Sequence, residues 1–181
     1  MKKLLFGLCV LSGTMLFAEN LLKDGDFSSN TFKYWTDQKW KPFWGTKVMK
    51  AGTLSLVNDQ EREYTLSIQY TNLEAGKYRI SYEMKYNFSA SDRKQSEEQT
   101  ADGKTVTVKY VRVYGLEIAT TKTLLSGKYI RTSGTYNSDW QKNEKTFDIT
   151  PEISGKGRVY LILRHLKGSL SFRNIVLEKI Q

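Results

Sequence analysis

From Tyr64 the chain alternates: Tyr64, Leu66, Ile68 and Tyr70 fall on one side, and Thr65, Ser67 and Gln69 on the other. A period of two is the pattern of a β-strand with two unlike faces. A turn segment, Asn72-Leu-Glu-Ala-Gly76, leads into a second alternation from Lys77 to Phe88. There Tyr78, Ile80, Tyr82, Met84 and Tyr86 oppose Arg79, Ser81, Glu83 and Lys85, and the apolar set reads as core. Residues 89–105 hold no large apolar side chain and read as a solvated loop ending in the turn Asp102-Gly103. The stretch 105–120 reads as one long strand with a bulge near Gly115. Strands at 158–166 and 170–180, separated by a turn at Lys167-Gly168, close the chain. No helical periodicity runs long enough for a stable helix. Short strands with turn signals between them imply a single all-β, antiparallel β-sandwich.

The N terminus departs from this pattern. Lys2 and Lys3 precede an apolar run over 4–17, and Ala18 stands before polar Glu19 and Asn20. The run is too short and wrongly flanked for a membrane span and reads as a secretory signal, residues 1–18. The expectation is one domain over 19–181, secreted or periplasmic, with no transmembrane segment once mature. Cys9, the sole cysteine, lies in the signal and follows Leu8 rather than the small residue of a lipoprotein site. The exported domain is therefore expected to rest on core packing alone, without disulfide or thiol chemistry. Loss of Lys2 and Lys3 lowers the formal charge from +9 to +7. That excess suits acidic glycans, envelope polymers or phospholipid, and equally serves solubility.

Three segments in order carry a family resemblance. The opening Asn20-Leu-Leu-Lys-Asp-Gly-Asp-Phe27 is followed by Trp35, and a hairpin runs Leu73-Glu-Ala-Gly-Lys-Tyr-Arg-Ile-Ser-Tyr82. The close is Trp140-Gln-Lys, then Phe147, then Gly168-Ser-Leu-Ser-Phe-Arg-Asn-Ile-Val-Leu177. Together they resemble carbohydrate-binding modules of the family 4, 9 and 22 group. The resemblance implies a galactose-binding-domain-like jelly roll that holds glycan chains in a groove without chemistry. It also implies structural roles for Trp35 and Trp140. Many such modules hold calcium through a Glu after the opening Phe and an Asp in the closing motif. This chain has Ser28 and Arg173 there. Calcium requires several oxygen ligands including carboxylates, so none is expected at that site, and no other cofactor is implied.

Glycan binding needs flat aromatic faces beside polar groups that orient hydroxyls. Along 105–117, Val111 and Val113 occupy one side, while Tyr110, Arg112 and Tyr114 form an aromatic–cation–aromatic row that makes poor core. Along 158–166, Val159, Leu161 and Leu163 read as buried and Arg158, Tyr160, Ile162 and Arg164 as a mixed face. If these rows adjoin, they floor a groove in which Arg binds carboxylate or sulfate. A solvated outer face with Arg stems over Tyr rings fits the pattern equally. Trp40 and Trp44, in Lys39-Trp-Lys-Pro-Phe-Trp-Gly45, form either an exposed platform or a loop folded over the sandwich end.

Catalysis finds little support. His165 is the only histidine and is in phase with Leu161 and Leu163, which suits a buried or strand-end role. No nucleophile–base set, metal-ligand spacing or phosphate loop is present. Export argues against a nucleic-acid ligand for the basic aromatic rows. The reading is a non-catalytic glycan-binding protein favouring acidic polysaccharide. Its expected contacts are Trp40, Trp44, Tyr110, Arg112, Tyr114, Tyr160 and Arg164. The alternative is a structural or adhesive envelope protein that binds a protein partner.

Overall fold

The computed structural model describes residues 19–36, 45–61, 63–91, 95–99, 102–109, 111–120, 124–125, 128–130 and 133–181. The signal segment 1–18, the tryptophans Trp40 and Trp44, and Tyr110 lie outside the described residues.

The strands are β1 (Thr46–Lys50), β2 (Thr53–Asn58), β3 (Tyr64–Leu73), β4 (Gly76–Ala90), β5 (Gln95–Gln99), β6 (Thr105–Lys109) and β7 (Arg112–Thr120). They continue with β8 (Leu124–Leu125), β9 (Lys128–Ile130), β10 (Gly134–Asn137), β11 (Gln141–Ile149), β12 (Gly155–Arg164) and β13 (Lys167–Lys179). One 3-10 turn, Pro151–Ile153, leads into β12. A six-stranded sheet runs β1-β2-β13-β4, with β10 and β11 sharing the far edge of β4. A five-stranded sheet runs β3-β12-β7, with β8 and β9 on the far edge of β7. All pairings are antiparallel, as the alternation implies.

Between the sheets lies the core. The six-stranded sheet contributes Leu54, Leu56, Tyr78, Ile80, Met84, Leu170, Phe172, Ile175 and Leu177, and the other sheet Leu116, Ile118, Val159, Leu161 and Leu163. The expected inward sets of β4 and β12 are therefore those observed. Trp35 is fully buried, packs 5.5 Å from Phe27, and donates its indole N–H to Asp24 O at 3.0 Å.

β13 carries a bulge between Arg173 and Val176, where Asn174 adopts φ 52°. The bulge turns the Ile175 peptide out of the β4 ladder and toward the N-terminal segment. Ile175 N–H donates to Gly25 O at 2.8 Å, and Asn20 Nδ2 donates to Ile175 O at 3.1 Å. Leu21 N–H reaches Leu177 O at 2.7 Å, while Asn20 Oδ1 accepts from Leu177 N–H at 3.0 Å. At Gly25 the approach is so close that a Cβ would lie 2.0 Å from Ile175 O, so only glycine fits. The same segment holds the other sheet: Gln69 accepts from Lys23 N–H at 2.6 Å and donates to Lys23 O at 2.7 Å.

Three expectations change. The region 89–105 is not a plain loop, because β4 extends to Ala90 and β5 pairs with β6 as a separate two-stranded ladder. β5 is polar throughout, so its pairing leaves no apolar alternation in the sequence. Residues 105–120 form two strands in different sheets. Gly115 is no bulge, since β7 and β12 pair in unbroken register from 113 to 120. Finally, the closing turn falls at His165 (φ 54°), two positions before the expected Lys167-Gly168. There His165 is half-buried at a strand end, with Nδ1 3.3 Å from Glu61 O.

Among the described residues no buried side-chain nitrogen or oxygen lacks a partner. Asn58 is the densest such point. Its Nδ2 lies 3.1 Å from the carbonyls of Glu63, Leu163 and Leu166, and its Oδ1 accepts from Thr65 Oγ1 at 2.6 Å. Replacing it strands several buried polar groups, each costing about 1–3 kcal/mol. Asn58→Ala is expected to lower stability by about 3 kcal/mol, read as a lower urea midpoint at unchanged slope.

Candidate functional site

Strand register decides which candidate residues meet. β12 pairs Arg158 with Tyr70, Tyr160 with Ile68, Ile162 with Leu66 and Arg164 with Tyr64 on β3. On its other side, Tyr160 pairs with Glu117, Ile162 with Gly115 and Arg164 with Val113 on β7. Directly opposed residues share a face. These residues therefore form the outer face of the five-stranded sheet, away from the core side chains Val159, Leu161 and Leu163.

The parity of β3 explains this face. Its inner side is polar, and Thr65, Ser67 and Gln69 are buried there because Asn58 and the N-terminal segment satisfy them. Lys47 Nζ lies 3.5 Å from Ser67 Oγ. Its apolar residues consequently point outward, where Leu66 and Ile68 are buried along with Val113, Glu117 and Ala119. Tyr70 stands out at 59% exposure. The Arg158 guanidinium sits 5.7 Å from its ring centroid and donates to Tyr160 Oη at 3.2 Å. That hydrogen bond, with its Coulombic counterpart, raises the Arg158 pKa further. At Gly115, buried and with φ 118°, a Cβ would meet no atom of the described residues within 4 Å.

Tyr160 and Arg164 thus share the outer face with Arg158. The expected junction with Arg112 and Tyr114 does not form. Tyr114 pairs with Leu163 and points inward, its ring 4.9 Å from Phe88 and 5.5 Å from Tyr86. Burial first, then Tyr86, pushes its phenol pKa up. Arg112 is buried and donates to Ser91 O at 2.5 Å. Tyrosine rings fill this end of the interior, so a tyrosine row makes good core here. Tyr64 and Tyr70 were passed over because their alternation with Leu66 and Ile68 looks like an inward face. The signal was the opposing row Thr65, Ser67 and Gln69, which needed a partner segment to be read correctly.

At the closing-motif position the side chains are engaged with one another. Arg173 donates to Glu83 Oε2 from Nε at 2.9 Å and from Nη2 at 2.5 Å, and Asn174 donates to Glu83 Oε1 at 2.9 Å. The guanidinium also lies 4.2 Å from the centroid of Trp140. Trp140 is therefore a half-exposed lid over a cation rather than the core residue expected. Ser28 bonds Asp26, through Oγ at 3.0 Å. A guanidinium and a hydroxyl at these two positions do not fit a calcium ion.

No protein-family profile matches the chain, and no curated protein matches it. Among solved structures, it is similar to the enzymatically active domain of tailspike protein 4 from bacteriophage CBA120. The two share 9% identity at a TM-score of 0.56, over 89% of this chain and 21% of the other. The chain thus spans about a fifth of that structure. The xylan-binding domain CBM22-1 of Paenibacillus barcinonensis Xyn10C aligns over 91% of this chain and 96% of its own at 10% identity and a TM-score of 0.45. TmCBM61, solved in complex with β-1,4-galactotriose, aligns over 90% and 99% at 14% identity and a TM-score of 0.47. At such identities the likeness is one of fold. The fold is an antiparallel β-sandwich jelly roll.

The Glu83 cluster sets an acid limit. Hydrogen bonds from Asn174 and then Arg173 hold its carboxyl below the ordinary carboxylate range. A depressed folded pKa gives stability that is complete above the unfolded value and disappears as pH falls through the folded one. Chemical denaturation below about pH 4.3 should therefore show declining stability, and Glu83→Gln should flatten that decline.

Proposed function

We propose that the protein is an exported, non-catalytic glycan-binding protein that favours acidic polysaccharide. It binds through the outer face of the β3-β12-β7 sheet. The observation that carries this reading is the exposed Tyr70 ring, with Arg158 against it and Tyr160 hydrogen-bonded to the same guanidinium. An aromatic surface suits the apolar face of a sugar ring, and a guanidinium fork suits carboxylate or sulfate. Arg164 supplies a second cation on the same side. Trp40, Trp44 and Tyr110 remain proposed stacking residues. The sequence segment 1–18 supports export, and the overall positive charge supports an anionic ligand.

The test is a glycan array of neutral and acidic polysaccharides, with hits followed by intrinsic fluorescence at low and high salt. Tyr70→Ala and Tyr160→Ala should each weaken a hit by roughly fivefold, the loss of about 1 kcal/mol of ring contact. Weakening at high salt is expected for an acidic ligand. Absence of any hit would overturn the reading in favour of a protein partner.

A further inference from the structure

β3 and β12 place the same two residue types opposite each other twice. Tyr70 opposes Arg158 at one end of their ladder, and Tyr64 opposes Arg164 at the other. The antiparallel register puts both pairs on the outer face, about 20 Å apart at about 3.3 Å per residue. The stretch between them is different in kind. Along β12 it holds half-exposed Tyr160 and Ile162, while Leu66 and Ile68 beside them on β3 are buried.

Charge follows the same division. Lys156, exposed on the same side of β12, adds a cation beyond Arg158. Glu117, buried in register with Tyr160, is the carboxylate on the middle of the face. Cations thus stand at the ends of the face, and the described residues of its centre contribute none. Among the described residues the Arg164 side chain makes no hydrogen bond or ion pair, and it is exposed. Arg158 spends part of its hydrogen-bonding capacity on Tyr160 and keeps further N–H donors, since a guanidinium carries five.

We infer that these Tyr–Arg pairs are the two ends of one clamp, which grips an extended polyanionic polysaccharide at both ends simultaneously. This rests on the glycan reading above and adds the length and charge pattern of the ligand. A chain long enough to reach both pairs engages the second as an intramolecular event, so its affinity exceeds that of a fragment reaching only one. A monosaccharide or disaccharide cannot span the distance.

The experiment titrates the protein with galacturonate di-, tetra- and octasaccharides, with dextran sulfate fractions of matching length, and with neutral xylo-oligosaccharides. Arg158→Gln, Arg164→Gln, the double variant and the control Lys142→Gln are compared, with folding of each checked by thermal melting. Lys142 lies on the opposite sheet, so its loss removes the same charge without touching the clamp. The expected result is an octasaccharide at least tenfold tighter than the disaccharide, with salt weakening the longer chain more. Either single variant should bring the octasaccharide down to the affinity of the disaccharide, and Lys142→Gln should not. Strength on galacturonate or on dextran sulfate identifies carboxylate or sulfate as the gripped group, and the length dependence supports the clamp in both cases. Equal affinity for short and long anionic chains would overturn it, as would equal loss in Lys142→Gln. Binding of the neutral chains alone would overturn the clamp and leave glycan binding standing. No binding of any chain would remove both.

Discussion

The bulge at Asn174 is the point on which the remaining architecture depends. By rotating one peptide of β13 out of its own sheet, it frees an N–H and a C=O that the N-terminal segment takes up through Gly25 and Asn20. That segment then carries Phe27 and Trp35 into the interior and lends its Lys23 peptide to Gln69 on the opposite sheet. With Gln69 satisfied from inside, β3 can bury a polar row, and its apolar and aromatic residues are turned outward. The outward tyrosine face is in this sense a consequence of how the far side of the sandwich is stitched.

Legibility in the sequence followed the same physics. The β4 and β12 alternations could be read directly, because each has one face of uniform apolar character and one mixed face. For β3 the period was legible and the direction was not. Thr65, Ser67 and Gln69 look solvent-facing until Asn58 and Lys23 supply their partners. Tyr114 was misassigned for the complementary reason: tyrosine suits interior and surface alike, and only its ring neighbours Tyr86 and Phe88 decide. β5, Gln95–Gln99, has no apolar residue to mark it, and only its pairing with β6 shows it to be a strand. The opening, hairpin and closing motifs corresponded to real junctions. Gly25 marks a close backbone approach, and the Phe172-Arg173-Asn174-Ile175 stretch spells the bulge.

Four arginines on the two sheets meet opposite surroundings. On the six-stranded sheet, Arg173 is neutralised by Glu83, fixed by Asn174 and covered by Trp140, so its charge is consumed locally. Arg79 is similarly paired with Glu178. On the five-stranded sheet, Arg158 meets uncharged tyrosines and Arg164 remains exposed, so the positive field there is directed at solvent. Net charge alone does not distinguish these cases, because it counts all four guanidinium groups equally.

The position of β13 also governs the order in which the molecule can form. It runs between β2 and β4, yet it follows every other strand along the chain. Until it emerges, β2 and β4 have no common neighbour and the N-terminal segment has no peptide to seize. Pairings that span most of the chain are entropically slow to close, so contact order here is high and assembly waits for the last strand. Closure of the six-stranded sheet around β13 is therefore a late and slow step of folding.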